Sequence, residues 1–214
     1  MKSEDLIAQL ARDVAPVRRL PSPGALMARW LLVTLPVLAA VTLMMGLRPG
    51  IVDLLMQPRF MLTEGLAAAT TVISAYAAFC AGRPDQPAWK LFMPVAAFVV
   101  WLAELGRQCF VLSVQTNGAA LVLHADWLCV PAIAMTALVP AAAMVWLLRR
   151  SAKFRPTHAC LCGTMAAAAA AELVLPLFHA ADTMMMVLVW QMGSVVLLTM
   201  LGAAAARLGL NTFG

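Results

Sequence analysis

Charge is scarce in this sequence. Only 12% of its 214 residues are Asp, Glu, Lys or Arg, about half the share found in ordinary water-soluble domains, which excludes a conventional wetted surface. Clustered aromatic and basic side chains are missing too, so no direct nucleic-acid contact is expected. There is no CxxC pair, which argues against a thiol oxidoreductase. HExxH, a phosphate-cradling glycine loop and any acid, base and nucleophile arrangement are likewise absent, so neither an enzyme nor a bound cofactor is expected. The cysteines at 80, 109, 129, 160 and 162 are too dispersed for a secreted disulfide scaffold.

What the chain has instead is apolar length: 63% hydrophobic residues and a mean hydropathy of +0.88. Six apolar segments stand out, at 25–47, 60–80, 89–108, 127–148, 159–177 and 184–205. Most approach the roughly 20 residues that cross hydrocarbon as a helix. The fold class read from this pattern is all-α, a polytopic membrane bundle of six transmembrane helices. Trp30, Trp89, Trp101, Trp127, Trp146 and Trp190 fall mostly toward segment ends, where indoles favour the membrane interface. Pro94, Pro131, Pro140 and Pro176 are expected to bend or end helices. Acidic Glu4, Asp5 and Asp13, and a first apolar segment that starts only after Pro23, do not read as a cleaved signal peptide.

Charge placement tests this map. With the N-terminus inside, Lys2, Arg12, Arg18, Arg19, Arg29, Arg83, Lys90, Arg149, Arg150, Lys153, Arg155 and Arg207 fall on the inner side, whereas Arg48, Arg59 and Arg107 fall outside. Twelve against three supports six crossings with both termini cytoplasmic. The expected organisation is a cytoplasmic amphipathic segment at 1–24, a membrane domain at 25–205 and a short cytoplasmic tail at 206–214. A bacterial inner membrane, multi-pass, with membrane lipids as neighbours, is the expected location; nothing in the sequence specifies self-association.

The opening MKSEDLIAQLARDVAPVRRLPSP is polar enough to stay out of lipid. Wound as a helix over 4–15, it gathers Leu6, Ile7, Leu10 and Val14 on one face, with Glu4, Asp5, Gln9 and Arg12 mainly elsewhere. That stripe has two destinations: a groove on another protein, or the membrane surface and the chain's own bundle. The polar face lacks the Lys and Arg excess and the aromatic residue of a typical interfacial helix, which tips the reading toward protein docking. Pro21, Pro23 and Gly24 then break the helix before the first span.

Inside the spans, Glu64, Glu104 and Glu172 are costly in hydrocarbon and should face the bundle interior or water. Lining a path with them would make a small-molecule or ion transporter, the alternative function. Arg107, three residues beyond Glu104, is placed to pair with it. Cys109 and Cys129 map to the outer region beside His124 and Asp126; packed free thiols and a structural or sensing disulfide both remain open. His158 with Cys160 and Cys162 is too small a ligand set for a closed zinc site, and no metal site is expected.

In order along the chain, DLIAQLARDVAPVRRLPSP, PAWKLF, WLCVPAIAMTALVP, LLRRSAKFRP, AELVLPLFHAAD and VLVWQMG resemble the six-span NrsF family of anti-sigma factors, negative regulators of extracytoplasmic-function sigma factor F. The resemblance implies that the cytoplasmic face captures a sigma factor and releases it on an envelope, metal or redox stress signal. Under that reading Leu6, Ile7, Leu10 and Val14 dock on the sigma factor, and Asp5, Arg12 and Asp13 set the register from the rim. The resemblance also implies a pair of outer cysteines in sensing, with Cys129 as the first. The second position reads LFHAAD, with Ala180 in place of the thiol. Three alternatives follow: the switch is absent, Cys109 takes the missing thiol's part, or the alanine is an engineered change that fixes one signalling state. His179 and Asp182 stand beside that position as effector-binding candidates.

Overall fold

The computed structural model describes residues 3–5, 7, 20–118, 121, 123, 129–151, 154–179 and 183–207. Among these residues every regular element is helical, with no strand. Six helices are long and apolar enough to cross a membrane.

α1 (Pro23–Met45) begins at Ser22, whose hydroxyl accepts from the Ala25 amide at 3.2 Å, with Pro23 pre-set for the first turn. It ends at Gly46, whose φ of 81° lies where side chains are disfavoured. The short α2 (Ile51–Leu55) caps the outer end, and α3 (Pro58–Ala81) returns inward. A 3₁₀ turn at Ala88–Leu91 leads into α4 (Met93–Gln115). α5 (Cys129–Arg149), α6 (Pro156–Phe178) and α7 (Met184–Arg207) follow. α7 carries a π-helical turn at Val187–Gln191.

α6 is the central post. Its run from Ala166 to Ala171 is buried throughout, and it packs most extensively on α3, α5 and α7. Such small side chains let helix backbones approach closely, which is how membrane bundles gain packing energy without a hydrophobic drive. Large apolar groups such as Leu32, Leu43, Met44, Phe110, Met135 and Met200 point outward instead. An apolar exterior around a small-residue interior is the arrangement lipid selects.

Contacts at the two ends agree with alternating crossings. On the inner end the Arg83 guanidinium donates to the Pro21 carbonyl. The amides of Phe154 and Arg155 donate to Gly82 and Ala81 at 3.3 and 3.1 Å. On the outer end the Arg48 amide donates to the Leu177 carbonyl at 2.9 Å.

Two expectations need correction. The third segment does not stop at 108: with its leading 3₁₀ turn it runs over Ala88–Gln115, 28 residues. Its polar residues satisfy one another, because Arg107 forks onto Glu104 at 2.6 and 2.8 Å, while Gln108 donates to Glu104 at 2.9 Å and to Thr63 at 3.0 Å. The tryptophans also divide. Trp89 and Trp146 are exposed, and the Arg150 guanidinium lies 4.0 Å above the Trp146 ring, as suits an interface. Trp30 and Trp101 are instead fully buried. The Trp30 indole donates to the Pro140 carbonyl at 2.9 Å, joining α1 to α5. Of the prolines, Pro140 and Pro176 lie inside helices whereas Pro94 starts one.

Candidate functional site

Only some of the residues singled out by the sequence fall among the described residues. At the inner end, Asp5 and Ile7 are helical and exposed. Leu6, Leu10, Arg12, Asp13 and Val14 lie outside the described residues. The root of this segment is fastened by the bond from Arg83 to Pro21. The loop holding Arg83 is itself tied to the start of α6 through Gly82 and Ala81. Lys90 braces the same corner, donating to Gln86 at 2.7 Å and lying 5.5 Å over the Tyr76 ring. Whatever the opening segment binds, its anchorage is built from the loops joining α3 to α4 and α5 to α6.

At the outer end Cys109 is a buried free thiol. It sits within α4 instead of at its margin, because that helix continues to Gln115. Cys129 opens α5. His124, Asp126 and Asp182 lie outside the described residues. His179, half-buried, follows the last residue of α6 and lines a cavity of about 360 Å³.

That cavity is what sequence reading missed. It is bounded by α3, α4, α6 and α7 and reaches from Arg48, Gln57 and Arg59 near the outer loops to Glu64, Trp101, Glu172 and Gln191 within the bundle. Two of its acids were individually conspicuous, since a carboxylate in a span demands a polar surrounding. Their convergence required the pairing of α3 with α6, which hydropathy does not report. Glu104, the third acid of the transporter reading, is bound up with Arg107 and Gln108 and does not line the cavity. Among the described residues no group of three or more His, Cys, Asp or Glu could hold a metal.

Six helices long and apolar enough to cross a membrane, with an apolar exterior, define a multi-pass α-helical protein of the inner membrane. The chain belongs to the NrsF family, whose model, described as negative regulator of sigma F, matches residues 10–211. No curated protein and no solved structure matches it. It is a membrane-bound anti-sigma factor, a regulator and not an enzyme.

Proposed function

We propose that the partner is an extracytoplasmic-function sigma factor, held at the cytoplasmic face by residues 1–24. Leu6, Ile7, Leu10 and Val14 are the buried anchors, and Asp5, Arg12 and Asp13 the rim. The observation that carries this reading is the fastening of the segment's root at Pro21 by Arg83, combined with the exposure of Ile7, which is 65% accessible and so not spent on the bundle. A large aliphatic side chain that stays exposed in the free protein has burial free energy left for a partner, about 1.5–3 kcal/mol for each anchor before ordering costs.

Release begins at the outer end, where Cys109, Cys129, His124, Asp126, His179 and Asp182 are the candidates for reading an envelope signal. The buried position of Cys109 supports a thiol that is exposed only when α4 moves against its neighbours.

Co-purification with a candidate extracytoplasmic-function sigma factor tests the docking face. Leu6→Asp/Leu10→Asp should weaken capture by at least about 100-fold, since two anchors are lost and about 1.4 kcal/mol is a factor of ten. Undiminished capture by a variant that still inserts and folds would sink the proposed face. For the sensing side, a mass-shift assay under oxidation asks whether Cys109 links to Cys129. If the two never link and their serine variants induce normally, a two-thiol switch is the wrong mechanism.

A further inference from the structure

The geometry points to the outer cavity as a binding site for a small ammonium-bearing molecule that also carries an oxygen acceptor. This inference concerns ligand binding alone and does not depend on how the sigma factor is held.

Two residues that line the cavity each carry a buried polar atom without a partner among the described residues. Glu172 is 3% exposed, and among the described residues its Oε2 has no hydrogen-bond partner; Trp101 is 1% exposed and its indole N–H has none either. Native proteins rarely leave such atoms unsatisfied, because each costs about 1–3 kcal/mol when nothing answers it. One atom wants a donor, preferably a cation, and the other wants an acceptor. A molecule with an ammonium group and an oxygen answers both.

The surroundings narrow the chemistry further. Glu64 shares the cavity with Glu172. Each sits six residues from the outer end of its helix, Pro58 of α3 and Phe178 of α6, about 9 Å along the axis. The acids are thus level with one another and below the mouth, where Arg48 and Arg59 lie. Pro176 adds an acceptor at the same level, since it cannot supply the amide that would otherwise bond the Glu172 carbonyl four residues earlier. Acceptors inside and cations at the mouth suit a ligand that enters ammonium first.

Size favours an organic molecule over a bare ion. About 360 Å³ falls in the range of small-molecule pockets, roughly 300–1,000 Å³. The π-helical turn of α7 supplies Val187 and Gln191 to the wall, and such turns recur at functional sites. A free amino compound and the headgroup of an ethanolamine lipid share this chemistry.

The test uses the full chain in nanodiscs of phosphatidylcholine and phosphatidylglycerol, which contain no primary amine. Ethanolamine and the common amino acids are titrated calorimetrically, with their N-acetylated forms, sodium chloride and magnesium chloride as comparisons. At least one ammonium compound should bind saturably, its N-acetyl form at least tenfold more weakly, and Glu172→Gln and Glu64→Gln should each weaken it at least tenfold. The comparison with N-acetyl compounds needs no variant, so it stands even if Glu172→Gln fails to fold. If phosphatidylethanolamine nanodiscs abolish binding of the free compounds, the proposal holds with the lipid headgroup as the source. Absence of binding by every ammonium compound in both kinds of nanodisc overturns it, as do equal binding of N-acetyl forms and displacement by millimolar magnesium.

Discussion

Among the described glycines, the one with least room for a side chain gives the sharpest stability prediction. Gly202 of α7 faces Thr164 of α6, and a Cβ built at 202 would lie 2.2 Å from the threonine Cγ2, 2.5 Å from Oγ1 and 2.7 Å from Cβ. The Thr164 hydroxyl is engaged with the Cys160 carbonyl at 2.8 Å, so turning it aside also disturbs a hydrogen bond. Overpacking of this kind costs about 1–3 kcal/mol, while Gly→Ala within a helix returns up to about 1 kcal/mol. Gly106 of α4 supplies the comparison, since a Cβ there meets nothing within 4 Å. The two alanine variants should therefore differ by about 1–3 kcal/mol, roughly fivefold to a hundredfold in the unfolding equilibrium. Reversible unfolding in mixed detergent micelles, following helicity, measures it. Thr164→Gly should remove the penalty of Gly202→Ala, whereas Thr164→Ala should relieve only part of it because the Cβ at 2.7 Å stays. Equal stability of Gly106→Ala and Gly202→Ala, or a penalty that survives Thr164→Gly, would show that α6 and α7 do not meet at this point.

Three further outcomes are expected. Trp30→Phe removes the indole donor to Pro140 and should cost about 1–3 kcal/mol in the same assay; an unchanged midpoint would mean that α1 is not held to α5 there. Cys109 is 5% exposed, so a membrane-impermeant maleimide should modify it only after denaturation; rapid labelling of the intact protein would contradict its burial. Arg83→Ala releases Pro21 and should weaken sigma-factor capture by no more than about a hundredfold, the ceiling set by one charge-assisted bond of about 1.5–3 kcal/mol. Unchanged capture would mean that the segment works as a free tether.

Crossings and sidedness were legible because they depend on quantities that sum along the chain. Hydropathy over some 20 residues and the count of Lys and Arg beside each span need no knowledge of neighbours. Where a position depended on a partner, the sequence was less informative. The pairing of Glu104 with Arg107 was legible from their spacing, but the part Gln108 plays in it, and the run of α4 on to Gln115, were not. Trp30 reads as an interfacial anchor, yet a proline carbonyl far along the chain receives its N–H. Glu64 and Glu172 are visible one at a time; that both line one cavity follows from packing.

That packing also supplies a physical connection between the two ends of the molecule. α3 carries Glu64 at its outer half and ends at Ala81, followed by the capping Gly82. α6 carries Glu172 toward its outer end and begins beside Arg155, whose amide is bonded to the Ala81 carbonyl. The next residue after Gly82 is Arg83, which holds Pro21. A shift of α3 against α6 at the cavity would therefore be felt at the loop that fastens the opening segment, with no element between them. The buried alanines of α6 bring the helix backbones close, so a bulky side chain placed between α6 and α3 would obstruct such a shift. Substituting Ala170 by Leu should accordingly separate the ends: capture of the sigma factor persists in a folded variant, but its release no longer follows the inducing signal. Induction indistinguishable from wild type, with α3 and α6 still packed, would rule out movement between these two helices as the route.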